Sequence, residues 1–119
     1  MFFTAKLIDK NLFLETIDRD QSLLETLISL FEEQSRDNIN SMRDALRTKN
    51  NEQFERAAHD LKNLGRNIAS EKLVEHSHIL ETLAAERKII EAGKLLDQTE
   101  KLLGKAQKEL IEIQKTMIQ

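Results

Sequence analysis

The chain has 119 residues, no Cys, Pro, Trp or Tyr, only 3 Gly, and 33% charged residues. That length suits one domain, and the composition favours long amphipathic helices with short connections over strands. A net charge of −3 without any Lys/Arg run argues against nucleic-acid binding, and the missing cysteines exclude disulfides, thiolate chemistry and redox roles.

The opening stretch, Met1 to Lys10, has charges where a signal peptide needs an unbroken apolar run, and no later segment is apolar over a bilayer's thickness. A cytoplasmic, free-standing chain with no membrane association is therefore expected. A short helix is predicted over about 6–17, apolar at Leu7, Ile8, Leu12, Phe13 and Ile17, as a lid on a bundle that fills about 18–117. Asp18-Arg19-Asp20-Gln21 offers carboxylate caps for a first long helix, whose stripe of Leu23, Leu24, Leu27, Ile28, Phe31, Ile39, Met42 and Leu46 runs to about Arg47.

Thr48-Lys49-Asn50-Asn51 is a short polar break, with Asn51 the expected N-cap of a second helix packed antiparallel to the first. Ser70 is placed to cap a third helix, with Leu73, Ser77, Leu80 and Ala84 facing inward and an end near Glu86 to Lys88. From Ile89 onward, Ala92, Leu96, Thr99, Leu103, Ala106, Leu110, Ile113 and Met117 alternate spacings of four and three, which predicts one long helix continuing through Gly104. The sum is an all-α, antiparallel up-down four-helix bundle with a short additional N-terminal helix, one domain over 1–119.

The second helix holds the candidate chemistry. At about 100° per residue, Phe54, Ala57, Leu61, Leu64, Gly65 and Ile68 share one arc, Ala58 sits at its edge, and His59 points roughly 160° from the arc's centre. Glu55 lies one turn before His59, Lys62 and Asn63 one turn after it, and Arg66 two turns after. The imidazole is expected in solvent beside two cations.

The stretch Ala57-Ala58-His59-Asp60-Leu61-Lys62-Asn63-Leu64-Gly65-Arg66-Asn67-Ile68-Ala69-Ser70 resembles the phosphohistidine segment of histidine phosphotransfer (HPt) domains. There an Ala or apolar residue, the active His, any residue, Leu, Lys and usually Gly precede a run of small residues. Leu73, Ser77 and the pair Leu80-Glu81 fit the family's next helix. Leu27, Phe31, Ile39, Met42, Ala45 and Leu46 resemble the preceding one, so the motif match spans about Asp18 to Glu81.

The resemblance implies a phosphocarrier of a two-component phosphorelay, not an enzyme. His59 would accept a phosphoryl group from a receiver-domain aspartate and pass it to another receiver. The implied partners are response-regulator receiver domains, a hybrid sensor histidine kinase, or both, met by a mainly monomeric chain through a small interface to which Ala58 contributes apolar contact. Mg²⁺ would sit on the receiver, leaving no cofactor or metal here. A neutral imidazole is a competent nucleophile, and the anionic phosphoryl group needs charge stabilisation. Lys62 is the first candidate for that role and Arg66 the second; as plain surface cations they would instead pair with Glu55 or Asp60.

Two positions depart from the family pattern, Asn63 after the Lys and Ala69 after the helix, where Gly is usual. Helical side chains lean toward the N-terminus, so Asn63 partly covers His59. It either crowds the phosphoryl group or the receiver, or donates a hydrogen bond to the imidazole's other nitrogen or to a phosphate oxygen. Asn63 also sustains a second reading, a pseudo-HPt adaptor that binds a receiver or kinase without being phosphorylated. A coiled-coil dimer built on the last helix is a third. His76 and His78 lie on different helix faces and form no metal pair, His76 being a partly buried packing residue. No hydrolase arrangement can be read.

Overall fold

The computed structural model of the protein describes residues 6–118, so Met1 to Ala5, part of the opening stretch read above, lie outside it. Among the described residues six helices follow in order: α1 (Lys10–Thr16), α2 (Gln21–Thr48), α3 (Asn51–Asn67), α4 (Glu71–Ala85), α5 (Ile89–Gly93) and α6 (Leu96–Ile118). No strand occurs among the described residues, and none of their helices is long and apolar enough to cross a membrane.

Four of the helix starts are set by side-chain caps. Asp9, Asp20, Asn50 and Ser70 accept from the backbone N–H of Leu12, Leu23, Gln53 and Leu73, the third residue beyond each cap. Two helix starts differ from those expected. The α3 cap is Asn50, not Asn51, because only the residue with extended backbone can turn its carbonyl oxygen onto the next N–H groups. The first helix starts at Lys10, not near residue 6, because Asp9 caps it. Leu7 and Ile8, 5% exposed each, are instead held as a strap whose N–H groups donate to the Glu109 carboxylate on α6 at 2.9–3.0 Å. Asp9 N–H donates to Ala69 O at 3.0 Å, tying the strap's other end to the α3–α4 turn.

The chain reverses with no glycine in the left-handed region. Lys49, Ala69 and Arg87 take φ of 56°, 55° and 61° after α2, α3 and α4. The following N–H, of Asn50, Ser70 and Lys88, donates to the carbonyl five residues back at 2.8–2.9 Å, the Schellman closure that satisfies orphaned helix-end carbonyls. Ala69 therefore takes up the place usually filled by glycine at a strain of about 1 kcal/mol.

α3 packs between α2 and α4, and α6 packs on α2 and α4. The buried face of α3 is Phe54, Ala57, Ala58, Leu61, Leu64 and Gly65, and the inward set of α4 is Leu73, Ser77, Leu80 and Ala84, as its spacing predicts. In the N-terminal part the face is rotated: Leu12 is 53% exposed while Leu14 is buried, and Leu23 of α2 also faces solvent. Ala58 is fully buried, so it offers no contact area to a partner, contrary to its expected place on the rim.

The long last helix is interrupted. After α5, Lys94 and Leu95 donate to carbonyls three residues back, Glu91 O and Ala92 O, in one tight turn before α6 begins. Gly93 presses on α2 here, where an added Cβ would lie 2.7 Å from Leu46 Cδ1. The buried positions 89, 92, 96, 99 and 103 keep their spacing across the break, so hydrophobic periodicity alone conceals it. α6 does run unbroken through Gly104.

Candidate functional site

The register of α3 against α4 is fixed by a close approach at Gly65. A Cβ there would sit 3.1 Å from both the backbone N and Cγ2 of Val74 and 3.3 Å from Leu73 Cβ. From that contact His59 is six residues back along α3 and Glu81 seven residues beyond Val74 along α4. At about 1.5 Å per residue these are similar heights, about 9 and 10.5 Å, on neighbouring helices.

His59 and Glu81 meet there. His59 Nδ1 lies 2.6 Å from Glu81 Oε2, and Lys62 Nζ donates to Glu81 Oε1 at 2.5 Å. His78, one turn before Glu81 on α4, places its Nδ1 3.6 Å from Oε1. The imidazole is 51% exposed, whereas the Lys62 and Glu81 side chains are only 12% and 17% exposed. Burial pushes the Glu81 carboxyl pKa up, but the hydrogen bonds and positive charges of Lys62 and His59 outweigh it and hold the group below the usual carboxylate range. Glu81 is thus an anion at neutral pH, an acceptor only. The proton in the His59–Glu81 contact belongs to Nδ1, and a neutral ring then presents Nε2 as a bare lone pair. Nε2 makes no hydrogen bond among the described residues.

The other expected site residues make contacts that the helical wheel does not foretell. Lys62 is not a solvated cation beside the histidine, nor is it paired with Glu55 or Asp60; it is folded down onto Glu81 because a half-buried carboxylate needs a near counter-charge. Arg66 Nη1 donates to Asn63 Oδ1 at 3.0 Å. Asn63 therefore turns along α3 and lines a cavity between α2 and α3, leaving the imidazole's Nδ1 to Glu81. The two remaining histidines serve separate neighbours: His76 Nε2 lies 2.7 Å from Thr99 Oγ1 on α6. No group of three or more His, Asp or Glu among the described residues is arranged to hold a metal ion.

A family model described as Hpt domain matches residues 26–114, from α2 into the last turns of α6. The chain belongs to the Hpt domain family. No curated protein and no solved structure matches it. Membership gives this Hpt domain a phosphotransfer-type role in two-component signalling, with receiver domains or kinases as its interaction partners.

Glu81 is the residue that the motif left without a role, although it touches both His59 and Lys62. Its signal in the sequence is its place beside Leu80 on the edge of the α4 stripe, where a carboxylate is too buried to remain unpaired. Which residue it pairs with depends on the α3–α4 register, and that register is set by the Gly65 contact.

Proposed function

We propose that this Hpt domain is a phosphocarrier in which His59 Nε2 accepts a phosphoryl group from a receiver-domain aspartate and returns it to another receiver. The observation that carries the reading is the Glu81–His59 contact, which puts the ring proton on Nδ1 and leaves the nucleophilic lone pair on the exposed side. In the forward step Nε2 attacks phosphorus, the N–P bond forms, and the P–O bond to the aspartate breaks, its electron pair leaving on the aspartate carboxylate. The ring becomes cationic as the bond forms, and the Glu81 carboxylate on Nδ1–H offsets that charge.

Lys62 has two roles in this proposal. One N–H holds Glu81 in place, and the remaining donors are one helical turn from the imidazole, within the range of a docked phosphoryl group's charge. Arg66, two turns on and held by Asn63, is placed to contact the receiver. The chain supplies position and electrostatics and has no kinase role; Mg²⁺ and the aspartate belong to the receiver. On this reading the chain works in the cytoplasm, beside its receivers.

The deciding experiment is transfer from a phosphorylated receiver domain to the wild-type chain and to His59→Gln, scored as acid-labile label. Label on wild type alone is the expected result. Receiver binding with no label on wild type would instead establish the adaptor reading that Asn63 sustains.

A further inference from the structure

His59 is flanked by two sides of opposite character. On the α4 side are Lys62 and His78, gathered on Glu81. On the α2 side is a groove of about 390 Å³, walled by Gln34, Asp37 and Asn38 of α2 and by Asp60, Asn63 and Asn67 of α3, with Leu64 as the apolar lining. No Lys, Arg or His lines it, and Asp37 and Asp60 make no ion pair or hydrogen bond among the described residues.

From this asymmetry we infer that the groove seats an arginine side chain of the docking receiver domain, and that Asp37 and Asp60 select for receivers that present one. The inference rests on the phosphotransfer reading above. Asp60 directly follows His59, and Asn63 lies one turn beyond it on the same helix, so a partner placed over the imidazole covers the groove in the same encounter.

The lining dictates the chemistry of the occupant. Two carboxylates and four side-chain amides present acceptor oxygens at several points around one cavity. A neutral or acidic side chain would strip water from Asp37 and Asp60 without returning a counter-charge, an unfavourable exchange that discriminates against such partners. A lysine ammonium is a compact point charge, whereas a guanidinium spreads five donors in a planar fork and serves several acceptors together. The chain already shows one such contact at the groove's edge, the 3.0 Å bond from Arg66 Nη1 to Asn63 Oδ1. The groove and the Lys62 side together orient the receiver by charge, because rotating it about His59 would set cation against cation.

Two measurements on the full chain test this. In the first, N-acetyl-arginine amide and its neutral citrulline counterpart are titrated while the side-chain amide resonances of Asn38, Asn63 and Asn67 are followed. The expected result is saturable shifts with arginine that are absent with citrulline and lost in Asp37→Asn/Asp60→Asn. In the second, transfer is measured from the charged receiver domain that labels His59 fastest. The double variant should raise the half-saturating receiver concentration roughly tenfold while the saturated rate changes less than twofold. An unchanged half-saturating concentration, or equal shifts with arginine and citrulline, would overturn the proposal. If no receiver labels wild-type His59, the phosphotransfer reading fails by itself, and the titration still decides whether the groove takes a guanidinium.

Discussion

One carboxylate oxygen of Glu81 lies 2.6 Å from His59 Nδ1, binding the candidate phosphoryl acceptor on α3 to a half-buried anion on α4. In the proposed transfer this contact would have two separable effects, fixing the tautomer and balancing the charge of a phosphorylated ring. Glu81→Gln keeps an acceptor for Nδ1–H but removes the charge; Glu81→Leu removes both. Transfer rates should fall about tenfold in the first and further in the second. Ring ¹⁵N shifts of His59 should show the Nδ1–H tautomer retained in Glu81→Gln and mixed in Glu81→Leu. Equal rates in all three proteins would remove Glu81 from the mechanism.

Stability should respond to pH in two separate windows. Burial holds the His76 pKa below the ordinary imidazole value, so the neutral ring is favoured by folding. Its contribution is complete above about pH 6.5 and declines as pH falls below that value toward the folded pKa. The Glu81 pKa is also lowered, but for a carboxylate the contribution is complete above the ordinary carboxylate range and is lost only as pH falls through the folded value beneath it. Urea midpoints at pH 7.5, 5.5 and 3.5 should therefore decline in two steps. His76→Gln, which keeps a donor for Thr99, should remove the first step and leave the second.

Three substitutions to or from glycine should differ in sign. Gly65→Ala drives a methyl group against the Val74 backbone and should destabilise by about 1 kcal/mol or more, despite the better helix propensity of alanine. It should also weaken the His59–Glu81 contact by shifting α4. Gly104→Ala adds a Cβ with nothing within 4 Å of it and should stabilise by about 1 kcal/mol. Ala69→Gly relieves a left-handed residue and should stabilise by a similar amount, about 1 kcal/mol, at unchanged structure. Denaturant midpoints of the three variants check all of this.

Glu109→Ala should destabilise by about 2 kcal/mol or more, since it leaves the N–H groups of Leu7 and Ile8 buried without an acceptor. Amide exchange at those two residues should accelerate far more than exchange in α3.

Much of this structure is legible in the sequence. The stripes of α2, α3 and α4 locate most of the core, Ser70 declares its cap, and the histidine motif gives the family. The failures share a cause. Ala58 sits at the edge of a helical wheel, where one residue's step decides between rim and core, and the approach of α4 decides it toward the core. Asn50 and Asn51 are chemically identical candidates, separated only by backbone angles. The break after Gly93 leaves the apolar spacing intact, and Leu12 and Leu14 exchange places because the strap before α1 is not helical. Glu81 becomes significant only when two helices are set side by side, a relation that no single-helix pattern contains.

The Glu109 clamp joins residues 102 positions apart. On the ribosome, with synthesis at about 5–20 residues per second, Leu7 is made roughly 5–20 s before the carboxylate that will hold it. The nascent chain must keep the Leu7–Ile8 strap unsatisfied for that interval, and the contact forms only once α6 has been made as far as Glu109. A segment made before every helix of the bundle is thus among the last to find its place, which leaves it open to proteases and chaperones until α6 has been made.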